Sequence, residues 1–275
     1  TKYMYVAGLI VNYKLTFGAF APSLLNLMKP YFGEIDASSL RYCIVTAEAC
    51  TLTLIEEWSL CAKNAIIYDF YGPTEATIYC TYYLVNRSKK IKAVNGIVSI
   101  GKPLSNITCV LLDDNNTVLD RQIKGELCVA GLQITPGYWN DKERNEASFL
   151  NLNINGNLMR FYRTGDICYQ DDDGDIMYIG RKDNQVKIQG YRIELGEIEH
   201  FAREFLGKSN AVAIAHSTQL NDLKIIMVIE SAPFDTKGLL DYLSSKLPPY
   251  MLPTRIMFLP SFPLNTNEKI DRVAI

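Results

Sequence analysis

The sequence contains little of what several common chemistries require. It has only two histidines, His200 and His216, and neither stands in a nucleophile motif such as Gly-x-Ser-x-Gly. Catalysis by a histidine general base is therefore not indicated. The seven cysteines form no Cys-x-x-Cys pair, so neither a metal knuckle nor a redox motif is predicted, and we expect reduced, buried thiols. The chemistry of this chain must then depend on positioning and charge.

A strong net charge and a long apolar run are also absent. The formal net charge of -2 and the pI near 5.8 provide no basic surface for a nucleic acid or an anionic membrane. The apolar run Val6–Val11 is much shorter than a membrane-spanning helix and lacks the flanks of a signal peptide. We therefore expect a cytoplasmic protein that has no nucleic-acid or membrane partner.

The residues that are present are those of a globular protein. Of the 275 residues, 48% are hydrophobic and 21% are charged, and this length predicts roughly two domains. The chain begins with Thr1 rather than Met and ends at Ile275 without a polar tail. We expect it to be a piece of a longer protein.

The first part of the chain alternates strand-like apolar runs with helical patterns, which is typical of a parallel sheet covered by helices. The runs are Leu15–Phe20, Pro22–Lys29, Leu40–Thr46, Thr51–Leu60 and Ala65–Asp69. Pro22 suits a first helical turn, and Pro30 suits a helix end. The last strand leads into a loop at its carboxyl end, where open α/β sheets bind ligands.

From residue 97 to 179 the pattern changes to short strands and turns, which predicts a distorted β-barrel layer. The strand candidates are Ile107–Leu112, Glu126–Ala130, Tyr162–Cys168 and Asp175–Ile179. The acidic residues of 171–175 lack the distal Glu of an EF-hand, so we interpret them as a solvated hairpin turn.

A compact α+β unit is predicted after Asp183. It comprises a hairpin at 185–195, a helix from Gly196, strands at 210–217 and 223–230, a helix at 236–246 and a strand at 255–260. The fold class is therefore α/β, with a small second unit.

One segment carries a family resemblance. The seventeen residues from Gly180 to Gly196, GRKDNQVKIQGYRIELG, continue into Glu197-Ile-Glu199. This stretch resembles a signature of the adenylation domains of nonribosomal peptide synthetases, which belong to the same superfamily as acyl-CoA and aryl-CoA synthetases and luciferase. The resemblance implies that residues 1–182 are the C-terminal part of a large domain, with an α/β layer at 1–96 and a β-rich layer at 97–182. It also implies that residues 183–275 are a mobile lid with its hinge at Asp183.

Three further motifs resemble the nucleotide site of this family. Tyr71-Gly-Pro-Thr-Glu75-Ala-Thr matches "YGPTEAT", Tyr162-Arg-Thr-Gly-Asp166 matches "YRTGD", and Tyr178-Ile-Gly-Arg181-Lys-Asp183 precedes the lid. The roles that the resemblance implies fall on the following residues: Tyr71 stacking on adenine, Gly72 in the turn, Thr74 at the α-phosphate, Glu75 on Mg²⁺, Asp166 on the ribose hydroxyls, and Tyr178 and Arg181 beside the nucleotide. Asp69 stands where the family usually has an Asn near the adenine amine.

Two lid motifs and one scaffold motif complete the resemblance. Lys187 and the tip Gly190-Tyr-Arg192 resemble the part of the lid that faces the site when the acyl group passes to a thiol. Lys269 lies in a stretch similar to "PLTxNGKxDR" and corresponds to the lysine that bridges the substrate carboxylate and the phosphates, although Glu268 replaces the usual Gly. Gly125-Glu-Leu-Cys-Val-Ala-Gly131 and Pro136-Gly-Tyr-Trp139 resemble "GELxIxG…GYW", which we interpret as scaffold.

Candidate residues of the substrate pocket are found by counting from these motifs. They are Ala19, Ile44, Thr46, Phe70, Ile78 and Tyr79. Thr46-Ala-Glu-Ala replaces the family's Gly-Gly-Glu-Ala and makes the floor bulkier. With two aromatic side chains, the pocket is expected to suit a small or medium substrate side chain.

The function that the resemblance implies is ATP-dependent activation of an amino acid to its AMP ester, assisted by Mg²⁺, followed by transfer to the phosphopantetheine thiol of a peptidyl or acyl carrier protein. A D-alanine–carrier protein ligase or an acyl-CoA synthetase of the same superfamily is an alternative. A non-catalytic fragment that binds nucleotide or acts as a scaffold is another.

Two family features are missing from this sequence. The "TSGSTGxPK" loop that wraps pyrophosphate is absent, and so is the Asp that pairs with the substrate amino group. The family resemblance places both in the N-terminal portion of the same domain, which would then be a partner of this chain.

Without the phosphate loop, we expect the isolated chain to show no turnover, because the pyrophosphate leaving group lacks its donors. ATP–pyrophosphate exchange by the purified chain should equal a control without enzyme for every amino acid tested. Exchange above that control would contradict the expectation.

Overall fold

In the computed structural model, residues 2–207, 210–217, 223–265, 270–272 and 274–275 are described. Their helices and strands, numbered in chain order, are α1 Lys2–Asn12, β1 Phe17–Phe20, α2 Pro22–Met28, β2 Tyr42–Thr46, α3 Leu52–Cys61, β3 Ile66–Tyr71, β4 Thr81–Leu84, β5 Ala93–Val94, β6 Ile97–Val98, β7 Lys102–Pro103, β8 Ile107–Leu112, β9 Gly125–Gly131, α4 Lys142–Ser148, β10 Phe149–Ile154, β11 Asn157–Gln170, β12 Ile176–Arg181, β13 Gln185–Ile188, β14 Tyr191–Glu194, α5 Leu195–Leu206, β15 Ala211–Ser217, β16 Leu223–Glu230, α6 Lys237–Lys246 and β17 Arg255–Leu259. The chain divides into two compact units, Thr1–Asp183 and Asn184–Ile275.

The first unit opens with an α/β layer. Its sheet has the strand order β1-β2-β3-β4-β7, in which β1, β2 and β3 are parallel and the other pairs are antiparallel. Helix α2 begins with Pro22 at its first turn, and Thr51 caps α3 by accepting a hydrogen bond from the Leu54 amide at 3.4 Å. Helix α1, which the sequence pattern did not predict, packs its buried Ala7 and Ile10 into the same core.

Trp58 of α3 lies at the centre of this core and is fully buried. Its ring contacts Phe20 and Phe32 at centroid distances of 5.6 and 5.3 Å, and its indole nitrogen donates to the Cys43 sulfur at 3.2 Å. These contacts fasten the helices to one face of the sheet, because aromatic packing and a satisfied N–H together favour a single arrangement. All seven cysteines are free, and all but Cys109 are buried.

The β-rich layer is an open antiparallel sheet. Its strand order is β10-β11-β9-β8, with β12 also paired to β11, and the described strands form no closed barrel. The long strand β11 is irregular where it pairs with β9, between Arg163 and Ile167. Such a bulge redirects side chains, and it falls in the stretch that contains Asp166.

Three carboxylates of the acidic hairpin at 171–175 converge on the cation of Lys92. The Lys92 ammonium lies 2.6 Å from Asp171, 2.7 Å from Asp173 and 2.5 Å from Asp175. The amide of Asp171 bonds to the Asp175 carbonyl at 2.9 Å, which closes the turn. The hairpin interpretation of this segment is therefore correct, and Lys92 supplies its positive charge.

In the second unit, β13 and β14 form the expected hairpin, and β15-β16-β17 form a three-stranded sheet. Strands β15 and β16 are antiparallel, whereas β16 and β17 are parallel. Helix α5 buries Ile198 and Ala202 against this sheet, as the apolar periodicity predicts. None of the described helices in either unit is long and apolar enough to cross a membrane.

An ion pair between the last signature residue and Arg272 connects parts of the second unit. Glu199 of α5 is 3% exposed and accepts two hydrogen bonds from Arg272, at 2.6 and 2.8 Å. The same carboxylate accepts the Ala213 amide of β15 at 2.9 Å. Glu199 therefore joins helix, sheet and C-terminal segment, which is a structural reason for its place in the motif.

The substitution Glu199→Gln should lower the free energy of unfolding by about 2 kcal/mol, because a neutral amide weakens a buried, bidentate pair while Arg272 stays partly hydrated. Glu197→Gln, on the exposed side of the same helix, is the matched control and should change stability by less than about 0.5 kcal/mol. Urea unfolding of both variants measures the difference. Equal stabilities would show that the pair contributes nothing.

Candidate functional site

The loop after β3 begins with a close crossing of the chain. A Cβ atom at Gly72 would lie 2.4 Å from the Ile78 carbonyl oxygen and 2.8 Å from the Tyr79 Cα, so only glycine fits there. The Cys80 amide donates to the Tyr71 carbonyl at 2.8 Å and closes the loop. The "YGPTE" motif thus folds back on itself at the carboxyl end of a parallel strand, the edge predicted for ligand binding.

Two β-branched residues in this loop have left-handed backbones. Thr77 has φ 53° and Ile78 has φ 75°, and a positive φ is costly for branched side chains. Gln133 holds this conformation, because its side-chain amide donates to the carbonyls of Ala76 and Tyr79. The Thr77 hydroxyl in turn donates to the Gln133 carbonyl at 2.6 Å. Sequence reasoning missed Gln133, and no motif singles it out.

Tyr71 and Asp166 meet although 95 positions separate them. The Tyr71 hydroxyl donates to Asp166, whose carboxylate is buried at 4% exposure. Burial raises the pKa of Tyr71 well above its ordinary value, and the charge of Asp166 raises it further. The Asp166 amide also donates to the Thr164 hydroxyl at 3.0 Å, so its backbone is fixed as well.

Arg181 connects this carboxylate to the end of the first unit. Its Nη1 atom lies 3.0 Å from Asp166 and also donates to the Thr164 carbonyl at 2.8 Å. Its Nε and Nη2 atoms bind both oxygens of Asp183 at 2.7 and 2.6 Å. Gly165 makes room for the pair: its φ is 73°, and a Cβ there would lie 2.5 Å from the Arg181 Nη2 atom. The guanidinium of Arg181 therefore binds two carboxylates: it makes a bidentate contact with Asp183 and a single contact with Asp166.

Glu75 is the buried acid of this loop, at 6% exposure. Tyr138 donates its hydroxyl to the Oε1 atom of Glu75, and the Thr135 amide donates to the Glu75 carbonyl at 2.9 Å. The pKa of Tyr138 is raised by burial and by this bond to Glu75. The "GYW" motif, interpreted from the sequence as scaffold, therefore supplies a direct partner of a candidate site residue.

Three other candidates of the nucleotide site remain, two close to this loop in sequence and one on β12. Asp69 is buried at 3% exposure and pairs with Val45 and Tyr83 across β3. Thr74 is exposed and opens the short 3-10 turn that contains Glu75. Tyr178 is partly buried on β12, next to β11, and burial raises its pKa, as does Asp166.

The four pocket candidates that lie on strands are on the face of the α/β sheet opposite the helices, whereas Ile78 and Tyr79 belong to the loop after β3. The register places Ala19 beside Ile44 and Thr46 beside Phe70. The Phe70 and Tyr79 rings lie 4.9 Å apart, and these residues are partly or fully exposed to solvent. The structure therefore brings the pocket candidates of the strands together on an uncovered face.

The remaining candidates lie at or beyond the end of the first unit. Asp183 is its last residue, and Lys187 lies on β13 of the second unit. Lys269 and Glu268 lie outside the described residues.

The positive φ of Ile78 leads to a stability prediction. Ile78→Gly should raise the free energy of unfolding by about 1 kcal/mol, because glycine adopts this backbone without strain and the isoleucine side chain is 63% exposed. Ile123→Gly, at an exposed isoleucine outside the set of positive-φ residues, should instead lower it. Chemical unfolding of the two variants tests the contrast, and a loss of stability in both would refute strain at Ile78.

Comparisons with known proteins identify the family of this chain. Residues 2–139 match the family model described as AMP-binding enzyme. The chain is 36% identical over 274 residues to tyrocidine synthase 3 of Brevibacillus parabrevis, covering 98% of this chain and 4% of that protein. It is 34% identical over 255 residues to nonribosomal peptide synthetase 5 of Aspergillus fumigatus, covering 92% of this chain and 11% of that one. It thus spans a small fraction of these relatives.

Among solved structures, the chain is similar to holo-PA1221, a nonribosomal peptide synthetase protein containing adenylation and PCP domains. The TM-score is 0.84 at 25% identity, over 99% of this chain and 46% of that one. The amide bond synthetase McbA of Marinactinospora thermotolerans shares the fold, with a TM-score of 0.83 at 21% identity over 100% of this chain and 54% of that one. The chain therefore belongs to the AMP-binding enzyme family and corresponds to the C-terminal portion of an adenylation domain.

Proposed function

We propose that this chain carries the nucleotide-binding part of an amino-acid adenylation domain. In the whole domain, ATP would activate an amino acid as aminoacyl-AMP with release of pyrophosphate. The aminoacyl group would then pass to a phosphopantetheine thiol on a carrier protein. The observation that carries this proposal is the buried contact of Tyr71, Asp166 and Arg181 at the carboxyl end of a parallel strand.

Asp166 is suited to bind the ribose. A carboxylate can accept hydrogen bonds from both hydroxyls of a ribose, as an acidic residue does in dinucleotide sites. Tyr71 donates to Oδ2 and Arg181 to Oδ1, so each oxygen is already oriented before a ligand arrives. In this proposal Tyr71 borders the adenine, with Asp69, Gly72 and Tyr178 lining the same site.

Glu75 is suited to hold Mg²⁺. Its carboxylate is a hard oxygen donor, and a single carboxylate with the substrate phosphates is a common set of ligands for this ion. When bound, Mg²⁺ would neutralise charge on the phosphates as pyrophosphate leaves. The neighbouring Thr74 would contact the α-phosphate.

The lid residues complete the proposal. Asp183 would be the hinge, and Lys269 and Lys187 would be delivered to the site in turn by rotation of residues 183–275. The carrier-protein partner is supported by the similarity to PA1221, which contains a PCP domain. The face that carries Ala19, Ile44, Thr46 and Phe70, with Ile78 and Tyr79 of the loop, would select a small or medium amino-acid side chain.

A binding measurement tests the nucleotide role directly. Titration calorimetry of the 275-residue chain with a nonhydrolysable aminoacyl-AMP analogue should detect binding. Asp166→Asn should weaken it about ten- to a hundredfold, because a charge-assisted hydrogen bond is lost from the ribose.

Asp120→Asn is the matched control, since Asp120 is exposed, and it should bind like the unsubstituted chain. Circular dichroism of both variants checks that they remain folded. Absence of binding by the unsubstituted chain, or equal affinities for all three proteins, would refute the proposal and favour a scaffold role.

A further inference from the structure

Tyr138, which the family resemblance marks only as scaffold, contacts a candidate metal ligand. It lies 63 positions from Glu75, and its hydroxyl donates to the Oε1 atom of that residue. The contact is a charge-assisted hydrogen bond between two side chains, a strong and directional type. Tyr138 is therefore placed to control how Glu75 presents its carboxylate.

The backbone of Tyr138 is fixed from both sides by one residue. The Tyr138 amide donates to the Oδ1 atom of Asn145 at 2.7 Å, and the Nδ2 atom of Asn145 donates to the Tyr138 carbonyl at 2.8 Å. Gly137 has φ 139°, and a Cβ there would lie 2.4 Å from the same Asn145 oxygen. The glycine before the tyrosine is thus required for this clamp.

The ring of Tyr138 is also oriented. The guanidinium of Arg144 lies 4.1 Å from its centroid, and the Phe149 ring lies 6.1 Å away. Both are favourable arrangements for an aromatic side chain. Backbone clamp and ring packing together leave the hydroxyl little freedom.

The segment before Tyr138 is tied to the same acid. The Thr135 amide donates to the Glu75 carbonyl, while Arg160 donates to the carbonyls of Thr135 and Pro136 at 2.8 and 2.9 Å. The guanidinium of Arg160 lies 3.9 Å from the Phe149 centroid, which anchors it in turn. One segment therefore holds Glu75 by its main chain and by its side chain.

We propose that Tyr138 is a positioning residue that orients the Glu75 carboxylate toward a divalent cation. By bonding to Oε1, it sets the rotation of the carboxylate and hence the direction in which Oε2 is presented. Carboxylates that bind metals are commonly held by such outer hydrogen bonds, and their loss costs about 10- to 100-fold in metal affinity. The inference rests on the proposed role of Glu75 as the Mg²⁺ ligand.

The test uses the Mg²⁺ dependence of ATP binding to the 275-residue chain, measured by calorimetry from EDTA to excess Mg²⁺. In Tyr138→Phe, the Mg²⁺ concentration for half-maximal effect should rise about 10- to 100-fold. The Kd for ATP in EDTA should stay unchanged, because phenylalanine keeps the ring and its contact with Arg144.

Two further variants separate the possible outcomes. Tyr83→Phe removes the hydroxyl of a buried tyrosine away from Glu75, one that accepts the Lys92 amide at 3.0 Å, and it should behave like the unsubstituted chain. Glu75→Gln should abolish the Mg²⁺ effect. If Glu75→Gln abolishes it and Tyr138→Phe does not change it, the positioning role is wrong and the role of Glu75 stands.

If ATP binds but Glu75→Gln leaves the Mg²⁺ effect intact, the proposed metal ligand itself is wrong. An equal loss of ATP affinity by Tyr138→Phe in EDTA and in Mg²⁺ would show a purely structural tyrosine, and would also overturn the inference.

Discussion

The buried carboxylate of Asp166 is the constraint on which the first unit depends. It sits on the long strand of the β-rich sheet, whereas Tyr71 ends a parallel strand of the α/β sheet, so their hydrogen bond joins the two layers. A buried charge is tolerated only when it is paired and hydrogen-bonded, and Tyr71 and Arg181 supply those partners. The bulge in the strand redirects Asp166, and Gly165 makes room for Arg181. The bidentate contact with Asp183 then holds Arg181 in place.

Much of the fold follows from local pattern. The expected strands at Ile107–Leu112 and 223–230 are observed with the predicted bounds, because each is a short apolar run, rich in β-branched residues, between turn signals. Helix α4, Lys142–Ser148, was not predicted, because it buries no residue and so has no apolar periodicity to detect. The expected barrel layer is an open sheet, since strand patterns do not reveal whether the edges close.

The candidate site also has residues that the sequence indicated and contacts that it did not. Family resemblance drew attention to Tyr71, Asp166 and Arg181, and in the structure Asp166 bonds to each of the other two. It gave no sign that Tyr138 would bond to Glu75, because partners so distant in sequence are chosen by tertiary packing and not by local spacing. Glu199, the last residue of the family signature, illustrates the converse, since its contacts with Arg272 and Ala213 hold helix, sheet and C-terminal segment together.

The backbone path of the loop that begins with the crossing at Gly72 does not depend on which side chains the loop exposes. The path is held by main-chain carbonyls, through the amide of Gln133 and the closing bond of Cys80 to Tyr71, whereas the side chain of Ile78 points mostly into solvent. Residue 78 can therefore be exchanged over evolution without disturbing the neighbouring acid Glu75. Under the proposed function, the same frame would present different surfaces to different substrates, and selectivity would diverge while the nucleotide site is inherited unchanged.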